Sequence, residues 1–361
     1  MKHLKLAAVA ALAAFTLASC DDEETFDTPP ADIPAGTEGA YVLNQGNSAT
    51  SPDGTLDFID FSADTYTAGV FQGANGRMLG STPQDGVAYG TKLYIAVYGS
   101  NLVWVLDRAT CKIVKQLAVS SPEGICAAKG AVYVSNNDGH VTKIDTLTCD
   151  VAGKIEVGPN PAQMAATGGF LYVSISDGYN WENNYADGKR VAKIDLATFT
   201  KRKDIPVGTN PGPIVADADG RVLVVARGDY VTEAPAVYTI SPDDEVEEFC
   251  PGSDIAVRGT TLYVINNSYV PAGTPLTFSA YDTRTGRVVK EELLPADNKP
   301  AFPGAIDVNP ANGDIYICAD PAGDYGYADY SAPGFVYRYT ADGTFVKRYA
   351  AGVHPCAVIF R

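Results

Sequence analysis

The chain is predicted to be all-β: a seven-bladed β-propeller of four-stranded antiparallel blades. Three observations lead there. An apolar-Tyr-apolar phrase recurs at Tyr41-Val42, Leu93-Tyr94-Ile95, Val132-Tyr133-Val134, Leu171-Tyr172-Val173, Val222-Leu223-Val224 (Leu in place of Tyr), Leu262-Tyr263-Val264 and Ile315-Tyr316-Ile317. A proline turn keeps step with it at Pro83, Pro122, Pro161, Pro211, Pro251, Pro303 and Pro355. Both recur at intervals of about 39–53 residues, the period of a four-stranded blade. Finally, the fold opens on a second strand, Gly39 to Leu43, and closes on an inner strand, His354 to Phe360. Pairing the C-terminal strand with the N-terminal blade covers two edges that would otherwise be open.

Ahead of the propeller, residues 1–19 read as a lipoprotein signal peptide. Lys2 and Lys5 give the positive start, and Leu6 to Thr16 is apolar but too short to span a bilayer. Leu17-Ala18-Ser19-Cys20 resembles a bacterial lipobox, which implies lipidation at Cys20. Residues 20–38 form an acidic, Pro-rich tether. Asp21-Asp22-Glu23-Glu24 resembles the surface-export signal of Bacteroidetes lipoproteins, the alternative being a solvated run. With Pro29, Pro30 and Pro34 and little to pack, this segment is expected to act as a leash of roughly 25 Å reach. The localisation implied is the outer membrane, lipid-anchored and facing the cell exterior.

Residues 39–361 carry the repeat. Each unit reads as an inner strand of small residues, the tyrosine strand, a third strand ending in Ile-Asp or a relative, an Asp-x-x-Thr turn and a fourth strand. Ile59-Asp60, Leu106-Asp107, Ile144-Asp145 and Ile194-Asp195 mark the third strands. No segment after Cys20 reads as an amphipathic helix. Six cysteines follow Cys20, with no CxxC pair. Cys126, Cys318 and Cys356 read as small apolar packers near the ring centre, and Cys111 and Cys149 as matched positions on outer strands.

The pattern is similar to the YncE-like seven-bladed propellers and, more narrowly, to the Bacteroidetes surface lipoproteins of that group. Tyr41-Val42-Leu43-Asn44-Gln45-Gly46-Asn47, Val70-Phe71-Gln72 with Asn75-Gly76, and Leu79-Gly80-Ser81-Thr82-Pro83-Gln84 carry the resemblance. Some members of that group capture cobalamin and pass it to a TonB-dependent outer-membrane transporter; others have no assigned ligand. The resemblance therefore implies cobalamin as transported ligand, with no resident cofactor, and a transporter as partner.

Antiparallel pairing puts the proline turns and the loops after the tyrosine strands on one face. Those loops are long in five blades: 44–55, 176–190, 227–236, 266–276 and 320–334. The opposite face has short turns. Long loops in an economical repeat carry function. Tyr98, Tyr179, Trp181, Tyr185, Tyr230, Tyr269, Tyr325, Tyr327 and Tyr330 sit on this face. Rigid amphipathic rings suit a binding surface, although each can equally pack one loop on another. Arg77, Asn75, Gln84, Glu123, Asn160, Gln163, Asn210 and His354 are expected beside the central opening, the asparagines also being ordinary turn formers. His354 is a candidate metal ligand, cobalt included, or a plain turn residue. Arg227 is expected to pair with Asp229.

Composition bounds the function. Removing Lys2 and Lys5 with the leader leaves 25 basic against 43 acidic residues, a formal charge of −18. Such a field repels nucleic acid and argues against phosphate-backbone binding. His140 and His354, the histidines beyond the leader, lie in distant blades, and no HExxH or GxSxG motif occurs. The expectation is a non-enzyme without a resident metal. It would bind a nutrient, with cobalamin the named candidate, and hand it to the transporter. Glycan or protein recognition is the alternative, and a propeller lyase or hydrolase the third reading.

Overall fold

The computed structural model describes residues 36–361, the side chain of Tyr325 excepted. The leader, Cys20 and the start of the tether lie outside the described residues. Twenty-eight strands, β1 (Gly39–Asn44) to β28 (Pro355–Phe360) in chain order, fall into seven antiparallel sheets of four. Six blades are sequential, from β4 (Pro83–Tyr89) to β27 (Phe345–Val353). The seventh has the order β28-β1-β2-β3, with β2 at Thr55–Asp60 and β3 at Thr65–Thr67. The expected closure is therefore present. Val42 stands opposite Val358 and Ala40 opposite Phe360. The Gly36 N–H donates to the Arg361 carbonyl at 2.7 Å, and the Arg361 N–H to that of Gly39 at 2.8 Å.

Burial explains the repeated phrase. The second strands, such as β9 (Ala131–Asn136), are buried along their whole length. Stacked blades cover both of their faces, so they read as continuous apolar runs rather than alternating ones. Val103 and Val105 of one blade share a core with Val132 and Val134 of the next. The outermost strands, such as β11 (Val151–Glu156), alternate because one face meets water.

The Asp-x-x-Thr turns work by local capping. Asp60, Asp107, Asp145, Asp195 and Asp282 each accept backbone N–H groups two and three residues on. These bonds favour the carboxylate form and lower all five pKa values. The fifth residue of each turn is left-handed: Asp64, Cys111, Cys149, Phe199 and Gly286, with φ from 50° to 67°. Such turns carry one left-handed residue into the returning strand. Cys111 and Cys149 thus occupy these turns, with buried thiols, and not the outer strands expected of them. All six described cysteines are unpaired.

One element departs from expectation. A six-residue helix, α1 (Val70–Asn75), follows β3. It is bounded by left-handed Gly69 and Gly76 and buries Phe71 against Trp104 at 5.4 Å. With fewer than two turns it leaves no periodic signal in the sequence. No helix among the described residues is long and apolar enough to cross a membrane.

Candidate ligand-binding funnel

The seven inner strands line the axis, and the cavity between them opens on the proline face. Its volume is about 560 Å³. The proline turns and the long loops do share that face. The Ser176 N–H meets the Asn160 carbonyl at 3.2 Å, Arg227 that of Asn210 at 3.0 Å and Tyr98 that of Thr82 at 3.0 Å.

Three inner-strand carboxyls face the funnel: Asp85, Asp254 and Asp307. Each accepts a backbone N–H. Asp85 takes Ile125 of the adjacent blade at 3.0 Å and its neighbour Gly86 at 2.7 Å. Asp307 takes Val358 of the closing strand at 2.8 Å, and Asp254 takes Ile255 at 2.8 Å. They are half-buried in the cavity wall, and this desolvation raises Asp85 and Asp254 to about 7 and Asp307 to about 6. Burial also raises Glu123, against the pull of Arg227. Near neutral pH the funnel therefore holds carboxyl groups that donate as well as accept.

Arg227 lines the same cavity. Its guanidinium lies against Gly212, where a Cβ would sit 2.1 Å from Cζ, so a side chain there would displace the guanidinium from this position. The expected pair with Asp229 does not form. Asp229 turns inward to its own loop, accepting Val231, Thr232 and Glu233 N–H groups at 2.7–2.9 Å. Among the described residues no carboxylate lies within ion-pair distance of Arg227, which leaves its cation to the funnel. Gln84 accepts from Gln45 Nε2 at 2.7 Å and keeps its own amide N–H groups for the cavity. Gln163 Oε1 is buried with no partner, an acceptor waiting for a donor.

The aromatic residues separate into groups. Tyr230 and Tyr269 line the funnel mouth. Tyr98 and Tyr179 join hydroxyls at 2.9 Å, linking the loops of two blades across the short loop of the blade between them. Tyr330 packs edge-on against His354 at 5.1 Å. Trp181 and Tyr327 stand 66% and 70% exposed on their loops. Tyr185, by contrast, is only 6% exposed: the loop doubles back so that Tyr185 N–H reaches the Asn180 carbonyl at 3.0 Å, and its hydroxyl is held near Tyr230 and Asp229 of the next long loop. It is no surface contact. Tyr325 lies in a short 3₁₀ turn, its side chain outside the described residues.

Asn75 and Arg77 are not beside the opening. The chain leaves the outer strand β3 and stays on the perimeter. There Asn75 Nδ2 donates to the Cys111 carbonyl at 2.9 Å, its Oδ1 accepts from Ile113 N–H at 2.9 Å, and Arg77 lies 4.9 Å over the Trp104 ring. Asn160 is a turn former, its Oδ1 accepting Tyr179 N–H at 3.2 Å. Asn210 is likewise a buried, left-handed residue before its proline. The funnel carboxyls were missed from sequence. Their one signal is an acidic residue inside an otherwise apolar inner strand, as in Ile306-Asp307-Val308.

No curated protein matches this chain. Solved structures resemble it in fold. A quinonprotein alcohol dehydrogenase-like protein from Bacteroides thetaiotaomicron superposes with TM-score 0.65 at 14% identity, covering 90% of this chain and 79% of that one. A hypothetical selenium-binding protein from Sulfolobus tokodaii gives 0.63 at 12%, over 91% and 94%. The hydrazine synthase of Kuenenia stuttgartiensis gives 0.60 at 18%, over 77% and 89%. Their names differ in chemistry, as is usual for folds that host many functions. Residues 38–361 match a family model along their whole length, and the chain belongs to the family described as a domain of unknown function, DUF5074.

Proposed function

We propose that this protein is a non-catalytic capture propeller of the outer membrane surface. It binds a bulky nutrient on the proline face and delivers it to a TonB-dependent transporter. Cobalamin is the ligand we name; that choice and the transporter rest on the sequence resemblance. The observation that carries the capture reading is the funnel itself. One cavity on the axis joins an unpaired Arg227, an orphaned Gln163 acceptor and amide groups of Gln84 beneath a rim of exposed rings.

The chemistry suits a ligand with an apolar body and amide arms. A cavity of about 560 Å³ is of ordinary ligand size and takes one part of a large molecule, leaving the remainder on the rim. A carboxamide arm would give its carbonyl to Arg227 or to the Gln84 amide N–H groups. Rings such as Tyr230 and Tyr269 would hold the apolar body, each contributing on the order of 2 kcal/mol when well covered. Calorimetry with cyanocobalamin tests the reading. Saturable heat at micromolar ligand supports it; no heat, and no competition by unlabelled ligand, overturns it.

A further inference from the structure

His354 and Asp320 form a pair that the fold alone does not require. His354 sits in the turn before Pro355, two residues ahead of Cys356, which lines the funnel; His354 itself stands outside the cavity wall, at its rim. The same left-handed place before the seam proline is held in other blades by Thr82, Ser121, Asn160 and Asn210. Only here does the side chain meet a buried carboxylate. Nδ1 lies 3.0 Å from both oxygens of Asp320, whose side chain is 4% exposed. Tyr330 closes one edge of the ring. The imidazole is 25% exposed, and among the described residues Nε2 has no partner. With Nδ1–H donating to Asp320, the lone pair is on Nε2.

A carboxylate behind one imidazole nitrogen and a free lone pair on the other is how proteins orient a metal-ligating histidine. A bare ion would need three or four protein ligands. Among the described residues no three His, Cys, Asp or Glu side chains converge on such a point. A metal held at this nitrogen would therefore have to arrive with its other positions filled. We propose that His354 Nε2 is an axial ligand to the metal of a bound macrocyclic complex, held in tautomer and direction by Asp320. The step is a ligand exchange: Nε2 forms a bond to the metal, a coordinated water leaves, and no electron changes hands. This deepens the capture reading, because a cobalt corrinoid is such a complex.

The test is visible spectroscopy of the mature protein with aquocobalamin, whose axial water exchanges, and with ferric protoporphyrin IX. Titration with aquocobalamin should shift the corrin bands as imidazole replaces water. His354→Asn, chosen because asparagine accepts the left-handed backbone, should bind without the shift, and free imidazole should restore it. Asp320→Asn should keep the fold and weaken the shifted complex about 10–100-fold. Binding without a shift, or the same shift in His354→Asn, overturns the axial-ligand inference and leaves the capture reading standing. A His354-dependent shift with the porphyrin alone keeps the inference and removes cobalamin. If neither complex binds, both fall.

Discussion

The two faces of this ring are made by the same strands and solve opposite problems. On the turn face every repeated aspartate spends its oxygens on its own backbone, and its pKa falls. On the proline face the inner-strand carboxyls are pushed up by burial, Gln163 lacks a donor, and Arg227 acts on Glu123 and Asp254 without a carboxylate at ion-pair distance among the described residues. A face that satisfies itself is scaffold. A face that leaves donors and acceptors unmatched inside a cavity is prepared for something else.

The most severe way to break this contrast is to remove what both faces share. Deleting residues 354–361 takes away β28 and exposes the edge of β1; the expected result is an unfolded or insoluble protein by circular dichroism. A soluble ring with unaltered melting would refute closure as the source of stability. Next in size, Tyr230→Ala and Tyr269→Ala should each cost about 2 kcal/mol of binding, about 30-fold, with melting unchanged. Trp181→Ala with Tyr327→Ala should speed release. Equal affinity in all of these would move the site off the proline face.

The turn face should answer in the other currency. Asp145→Ala removes two capped N–H groups and should cost about 1–2 kcal/mol of stability, seen in denaturant midpoints, with ligand affinity intact. The two carboxyl sets also set opposite pH slopes. The turn aspartates, with lowered pKa, contribute stability above the unfolded value near 3.8 that is lost as the pH falls through their folded values. The funnel carboxyls hold protons more tightly when folded, so their effect becomes less favourable as the pH rises from about 4 towards 7. Melting temperature should peak near pH 5. Asp307→Asn, which keeps an acceptor for Val358, should raise melting at pH 8 by about 1–3 °C and by roughly half as much at pH 5. A rise of equal size at both pH values would show that burial does not govern Asp307. Smallest of all, Arg77→Ala should cost about 0.5–1 kcal/mol of stability through its ring contact and nothing in binding.

The repeat, the closing strand and the sharing of a face by prolines and long loops were legible because they follow from strand periodicity and direction. What was not legible depended on where irregular chain runs. Tyr185 shares its loop with Tyr179 and Trp181, and only the doubling back of that loop separates a packed ring from exposed ones. Arg77 looked central because it lies close in sequence to Pro83, but the intervening chain is still crossing the perimeter. Asp229 looked like a partner for Arg227 by proximity, whereas backbone N–H groups nearer to it took its oxygens. Local chemistry outcompeted sequence neighbours in each case.

The composite blade has a further consequence, one of orientation. Gly36 enters beside Arg361, at the end of β1 opposite the proline turns. The described chain therefore begins on the turn face, on the side of the ring away from the aromatic mouth. Under the proposed lipid anchoring, a chain that enters on the turn face would present its funnel to the medium. Under the proposed delivery, cargo would leave from the face turned away from that surface, so release would depend on how the ring stands.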